Sequence, residues 1–245
     1  MKQKHLLAAL LLLGAGLAAH GQATDTAAMI VDRYLDIMGT SRWGSDSVLA
    51  LETVITSPGS ADTFVMKRWY LAPNMTRVEV WHGKELQTGL CSNGKDRFRA
   101  LRPKYGQWAD LLAGNYYERL LPYDFRGPLH SWRAQGATLT YMGVAKAMGQ
   151  YDMESVKMEG PGLYTRIYFF EPSGLLSVIV ETGELDTAYR ADDEARIEWK
   201  IIHEYMELDG CLLPKQESFM RNGVLTVMET TARKEKRNTL IFNQD

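Results

Sequence analysis

The stretch Trp69-Tyr70-Leu71-Ala72-Pro73-Asn74-Met75-Thr76-Arg77-Val78-Glu79-Val80-Trp81-His82 carries the pattern that decides the fold. Thr76, Val78 and Val80 alternate with Arg77 and Glu79. Side chains of an extended strand point to opposite faces in turn, so the alternation predicts a strand over 74–82 with one apolar face. Pro73-Asn74 before it and His82-Gly83 after it are turn chemistry, so the neighbouring strands fold back antiparallel.

The same period extends outward. Strands are predicted over 48–57, 62–71 and 96–101, broken by Ser57-Pro58-Gly59 and Asn93-Gly94. A second series covers 138–145, 151–158, 163–170, 175–182, 196–208, 211–221 and 224–234. Its turns are Gly149-Gln150, Gly160-Pro161-Gly162, Pro172-Ser173-Gly174, Asp209-Gly210 and Asn222-Gly223. Before the first series, Ile30, Val31, Tyr34, Leu35 and Met38 fall at helical spacing. Thr24-Asp25-Thr26 stands in capping position and Gly39 at the C-terminal end. Between the series, 108–121 and 128–135 read as helices. The pattern is helix, meander, helical insertion, longer meander: an α+β chain built on one curved antiparallel sheet with helices on one face.

Composition excludes several classes. With 45% hydrophobic residues the chain is not disordered, and two cysteines make neither a disulfide scaffold nor a four-cysteine zinc site. A formal net charge of −2 lacks the basic field that nucleic-acid binding requires. Lys2 and Lys4 precede an uncharged apolar run over 6–19, and small residues follow, which is the make-up of a secretory signal peptide. The run is too short for a membrane span, for which about 20 residues are needed. Residues 1–21 therefore read as a cleavable signal peptide, with Ala23 marking an alternative cleavage point, and 22–245 as one exported soluble domain.

Reactive groups are sparse. After the leader only His82, His130 and His203 remain, with no His-Glu-x-x-His pair, no Gly-x-Ser-x-Gly elbow and no phosphate loop. No catalytic residue, metal site or cofactor is expected. His203 reads as a strand histidine, Asp192-Asp193-Glu194 as a solvated turn with a weak cation site as its alternative, and Cys91 and Cys211 as two separate buried thiols, with a disulfide between them as the other reading for an oxidising compartment. Aromatic residues on strands and abundant methionine suit either a packed core or an adaptable apolar chamber. By alternation, Ile167, Phe169, Trp199 and Ile201 are candidate lining residues.

The order of certain segments carries a resemblance. Leu35-Asp36-Ile37-Met38-Gly39 is followed by Trp69-Tyr70-Leu71-Ala72-Pro73-Asn74-Met75 and Cys91-Ser92-Asn93-Gly94-Lys95-Asp96-Arg97-Phe98. Then come Phe170-Glu171-Pro172-Ser173-Gly174-Leu175-Leu176 and Tyr205-Met206-Glu207-Leu208-Asp209-Gly210-Cys211-Leu212-Leu213-Pro214. Together they resemble the outer-membrane lipoprotein-sorting family, the LolA-like periplasmic carriers, over nearly the whole chain after the leader. The resemblance implies an unclosed half-barrel whose helices cover an apolar concavity. It implies a periplasmic carrier, not an enzyme, that shields the acyl chains of lipoproteins or lipids. It would act as a monomer between release and acceptor proteins of the inner and outer membranes. Leu35 matches a lid position, Trp69 a cavity-lining tryptophan, and Thr76, Val78 and Val80 the inward positions of the next strand.

The match breaks at Ala72. The resemblance implies an arginine immediately before Pro-Asn that latches the lid, and neither Arg68 nor Arg77 occupies that position. The departure leaves room for a relative that handles another lipid or senses one as a regulatory module. An exported lipid hydrolase is the remaining alternative and requires a convergent polar cluster in the cavity.

Overall fold

The computed structural model describes residues 20–94, 98–102, 106–110, 124–147, 151–160, 165–183, 196–221 and 223–242. Helix α1 (His20–Met38) comes first. It starts upstream of the expected cap because nothing in Gln22-Ala23-Thr24 breaks a helix. Gly39 ends it in the left-handed region, φ 63°, and its amide donates to the Leu35 carbonyl at 3.1 Å.

Six strands follow: β1 (Ser47–Thr56), β2 (Thr63–Leu71), β3 (Met75–His82), β4 (Glu85–Ser92), β5 (Phe98–Arg102) and β6 (Gln107–Asp110). The second series is β7 (Thr138–Ala147), β8 (Tyr151–Glu159), β9 (Thr165–Phe170) and β10 (Leu176–Gly183). It ends with β11 (Arg196–Leu208), β12 (Cys211–Arg221) and β13 (Val224–Lys236). All thirteen join one antiparallel sheet in the order β6-β5-β4-β3-β2-β1-β13-β12-β11-β10-β9-β8-β7. Two meanders are thus fused where the first strand meets the last, from Ser47 opposite Lys236 to Thr56 opposite Val227. Among the described residues, strands β6 and β7 end the sheet and do not pair with each other, so the barrel stays unclosed.

Two expectations change. Trp108, Ala109 and Asp110 belong to β6 rather than to a helix, with Trp108 opposite Leu101; the rest of 108–121 lies outside the described residues. The segment 128–135 forms only a 3-10 turn at Pro128–Ser131 before further turns close on Ala137. Strand β4 escapes the alternation rule because Gln87, Thr88 and Gly89 interrupt its apolar face. Gly89 is required: a Cβ there would sit 2.6 Å from the Trp108 ring. The acidic run Asp192-Asp193-Glu194 also lies outside the described residues.

Directly opposed residues in neighbouring strands share a face. Helix α1 covers one face at the β7–β11 end. Ala27, Ile30, Val31, Tyr34 and Met38 are buried there against Leu139, Val156, Met158, Tyr168, Phe170 and Ile202. Tyr34 meets Phe170 edge-on at 5.6 Å between centroids. The β9–β10 turn admits the helix closely, since a Cβ on Gly174 would lie 2.7 Å from Ile37 Cδ1. Two exposed ion pairs flank this packing, Arg33 with Glu154 and Arg133 with Asp32 at 2.9 Å.

The opposite face is not the solvated surface that the alternation of Arg77 and Glu79 suggests. Both residues are buried. Arg77 Nε donates to Glu79 Oε1 at 2.7 Å, Arg77 Nη1 donates to the Ile241 carbonyl at 2.9 Å, and Trp81 Nε1 donates to Glu79 Oε2 at 3.0 Å. The cause is the C-terminal 3-10 turn Thr239–Phe242, which lays Ile241 and Phe242 over Val48, Leu71 and Cys91. The thiols stand apart, as expected: Cys91 Sγ donates to the Phe242 carbonyl at 3.0 Å, whereas Cys211 Sγ donates to the Gly39 carbonyl at 3.3 Å on the helix side.

Glu79→Ala strands the Arg77 guanidinium in a buried site, so urea unfolding will show a loss of about 3–5 kcal/mol. Tyr34→Ala empties the joint between α1 and the sheet and will cost about 3–5 kcal/mol. Asp32→Ala removes only an exposed pair and will cost less than about 1 kcal/mol in the same assay. Comparable losses for the last two would overturn burial as the force that seats the helix.

Candidate functional site

The helix-facing, concave side of the sheet has two halves. The β7–β11 half is filled by α1. On the other half, Ile55, Met66, Val78, Val80, Leu90, Phe98 and Ala100 form one continuous apolar field across β1–β5. Register makes the field: Met66 faces Val80, Arg68 faces Val78, Val78 faces Leu90 and Leu90 faces Ala100. Between the halves lies a third cluster around Trp43, Leu49, Leu51, Tyr70, Phe125 and Leu213.

The sequence-derived lining residues divide between the faces. Leu35 packs into the helix cluster, and Thr76, Val78 and Val80 lie on the concave side of β3. Trp69 lies on the other side, against Val48, Leu71 and Phe242. Ile167, Phe169, Trp199 and Ile201 also lie there, around Met153, Val178 and Val180. Alternation alone cannot tell the two apolar sets of a strand apart when both faces are covered. The residues it missed on the concave side are Ile55, Met66, Leu90 and Phe98; their register with Val78 and Val80 is the signal that finds them.

Polar groups cross this apolar side along a diagonal. Arg68 Nη2 donates to Thr53 Oγ1 at 3.1 Å, and Thr53 Oγ1 lies 2.8 Å from Thr230 Oγ1. Further along, Lys200 Nζ pairs with Glu217 Oε1 at 2.5 Å. Beneath α1, Tyr205 donates its hydroxyl to the Leu176 carbonyl at 2.6 Å, presented by a bulge in β11. Burial pushes the Tyr34 and Tyr205 phenols far above the ordinary tyrosine value, so both remain neutral hydrogen-bonding groups at physiological pH. His203, by contrast, is exposed and bonds Ser218 Oγ at 2.8 Å. No cluster of potential metal ligands occurs among the described residues. Nor is any described helix long and apolar enough to cross a membrane.

At the Pro-Asn turn, neither Arg68 nor Arg77 takes the place left by Ala72. Arg68 turns to Thr53 and Arg77 to the opposite face. The arginine that does reach the turn is Arg126. Its Nη1 donates to the Pro73 carbonyl at 3.3 Å while the guanidinium lies 4.7 Å from the centre of the Tyr70 ring and is held by Asp124. Ala72 itself packs beside Leu49 and Tyr70. Nothing in the sequence around 72 signals Arg126, because a tertiary contact 53 residues away supplies it.

No family model and no curated protein matches the chain. Solved structures do. A LolA superfamily protein from Nitrosomonas europaea superposes with a TM-score of 0.57 at 11% identity, covering 88% of this chain and 96% of that one. A DUF1329 family protein from Desulfovibrio piger gives 0.56 at 11% identity, covering 86% and 92%. A protein domain from Vibrio parahaemolyticus, named for outer membrane lipoprotein sorting, gives 0.54 at 11% identity, covering 87% and 97%. The unclosed thirteen-stranded sheet with α1 on its concave side is therefore a fold shared with these three solved structures.

Proposed function

We propose that the protein is a periplasmic carrier that shields the acyl chains of lipoproteins or lipids, with 1–21 as a cleaved signal peptide and 22–245 as the binding domain. The observation that supports this is the apolar field of β1–β5, which faces the concave side at the end of the sheet that α1 does not fill. Transfer of an acyl chain into such a field is worth about 0.8 kcal/mol for each buried methylene, whereas in water the same chain binds nothing. The role is physical rather than chemical: the carrier binds and releases without making or breaking a bond. Four large side chains of α1 are buried, at about 1.5–3 kcal/mol each, so the helix is an anchored wall. Cargo exchange belongs to the β1–β5 half. Outer-membrane lipoprotein sorting is the specific role this reading assigns, with donor and acceptor proteins at the two membranes.

Native mass spectrometry of the mature protein from its own envelope will show co-purifying acyl species, and a fluorescent fatty-acid probe will bind and be displaced by them. Val80→Glu, on the concave side, will weaken probe binding at least about tenfold by placing a carboxylate among methylenes. Val54→Glu, an exposed residue on the other side of β1, will leave it unchanged. Equal behaviour of the two variants, or a wild-type protein that takes up neither lipid nor probe, would sink the carrier reading.

A further inference from the structure

Strand register lays a second apolar row across the concave side, at the end of the sheet that carries the β1–β2 and β12–β13 turns. Directly opposed residues run from Met228 on β13 through Ile55 on β1 and Phe64 on β2 to His82 on β3. Val80 stands two residues inward of His82, and Phe219 on β12 faces Thr226, diagonal to Met228. Phe219, Met228, Ile55, Phe64 and Val80 are all partly exposed, whereas Met66, Val78, Leu90 and Phe98 deeper in the field are buried. A ligand arriving from solvent therefore meets this row first. Met228 and Phe219 carry it across the β1–β13 seam, so it extends beyond the field of β1–β5 into the second meander.

The borders of the row are polar. At the seam, Ile55 and Met228 lie between two hydroxyl pairs, Thr53 with Thr230 at 2.8 Å on the inner side and Ser57 with Thr226 at 3.4 Å on the outer side. Each pair is two residues away along the strands, about 7 Å. At the β12 end, Lys200 stands opposite Phe219 and its Nζ is 2.5 Å from Glu217 Oε1. At the β3 end, His82 stacks on Phe64 at 4.8 Å between ring centroids, and its Nε2 is 3.3 Å from Asp62 Oδ1. The row is thus one side chain wide at the seam and bounded at both ends. A stable protein partner covers about 20–30 residues a side, far more than five side chains offer, whereas one alkyl chain matches the width. From β3 to β12 there are four steps between adjacent strands, which span about 19 Å, the length of about 16 extended carbons.

We propose that Phe219, Met228, Ile55, Phe64 and Val80 form a track for one alkyl chain laid across the strands, with an upper length of about 16 carbons. This rests on the carrier reading and adds to it the direction and the length of the chain. Each methylene laid on the track is removed from water, whereas methylenes that run past Lys200 or His82 meet polar groups and gain nothing.

The test uses the full mature protein and a series of straight-chain carboxylates of ten to eighteen carbons, each competing below its micellar concentration with a fluorescent fatty-acid probe. Wild-type affinity is expected to rise about twofold or more for each added methylene and to level off near 16 carbons. Met228→Asp interrupts the track at the seam, so its affinity no longer climbs with chain length. Val227→Asp, the next residue on the opposite side of β13, keeps the wild-type rise. If Met228→Asp does not fold, Phe219→Asn at the end of the track is read in its place, with the break about four carbons earlier. A wild-type rise that continues through 18 carbons, or that stops by ten, overturns the track and leaves the carrier reading standing. A wild-type rise retained in Met228→Asp or Phe219→Asn also overturns it. Binding of none of the series overturns both.

Discussion

Everything in this molecule hangs on the ladder between β1 and β13. Most consecutive strands within each meander are close in sequence, so they find one another locally. The β1–β13 pairing is different: it brings Ser47 to Lys236 and Thr56 to Val227 across most of the chain. Such a contact carries a large loop-closure cost and needs more than backbone hydrogen bonds to form. The added force comes from both sides of the sheet. Leu49, Leu51 and Ala232 join a cluster with Trp43 and Leu213 on the concave side, and Val48 packs under Phe242 on the other. Without the ladder there would be two curved ribbons and no shared concavity.

The placement of α1 follows from the same fusion. Its buried stripe meets residues from β7 to β11, and its C-terminal Gly39 lies against the β11–β12 turn, where a Cβ would come within 2.5 Å of the Gly210 carbonyl oxygen. The helix is thereby committed to the second meander, and the first is left with an apolar inner surface of its own. That α1 packs on one half of the sheet and not on the other is a direct result of where one helix of nineteen residues can reach.

Much of this was legible in the sequence. Alternation over Thr76, Val78 and Val80, glycine-bearing turns such as Asp209-Gly210, and the spacing of Ile30, Val31, Tyr34 and Met38 are local signals, and local signals survive folding. What could not be read is which of two apolar sets on a strand faces inward. Trp69 and Phe169 are as apolar as Val78 and Met66, and only the cover supplied by Ile241, Phe242 and α1 separates them. Arg77 and Glu79 mislead for the same reason: a charged pair normally marks solvent, but a C-terminal turn that brings a carbonyl to Arg77 lets the pair be buried. The contact of Arg126 with the Pro73 carbonyl is long-range as well, and no pattern near Ala72 could reveal it.

The free margins at β6 and β7 bear on capacity. In a closed barrel, strand number and stagger fix the radius, so the enclosed volume is a property of the backbone. Here no hydrogen-bonded seam joins the two margins among the described residues, and the width of the trough is set by side-chain contacts and by the twist between neighbouring strands. A small change of twist at each of many strand pairs adds up across the sheet, moving the margins apart or together without breaking a single ladder bond. The trough is thus a variable gauge, whose width can change with one set of backbone hydrogen bonds.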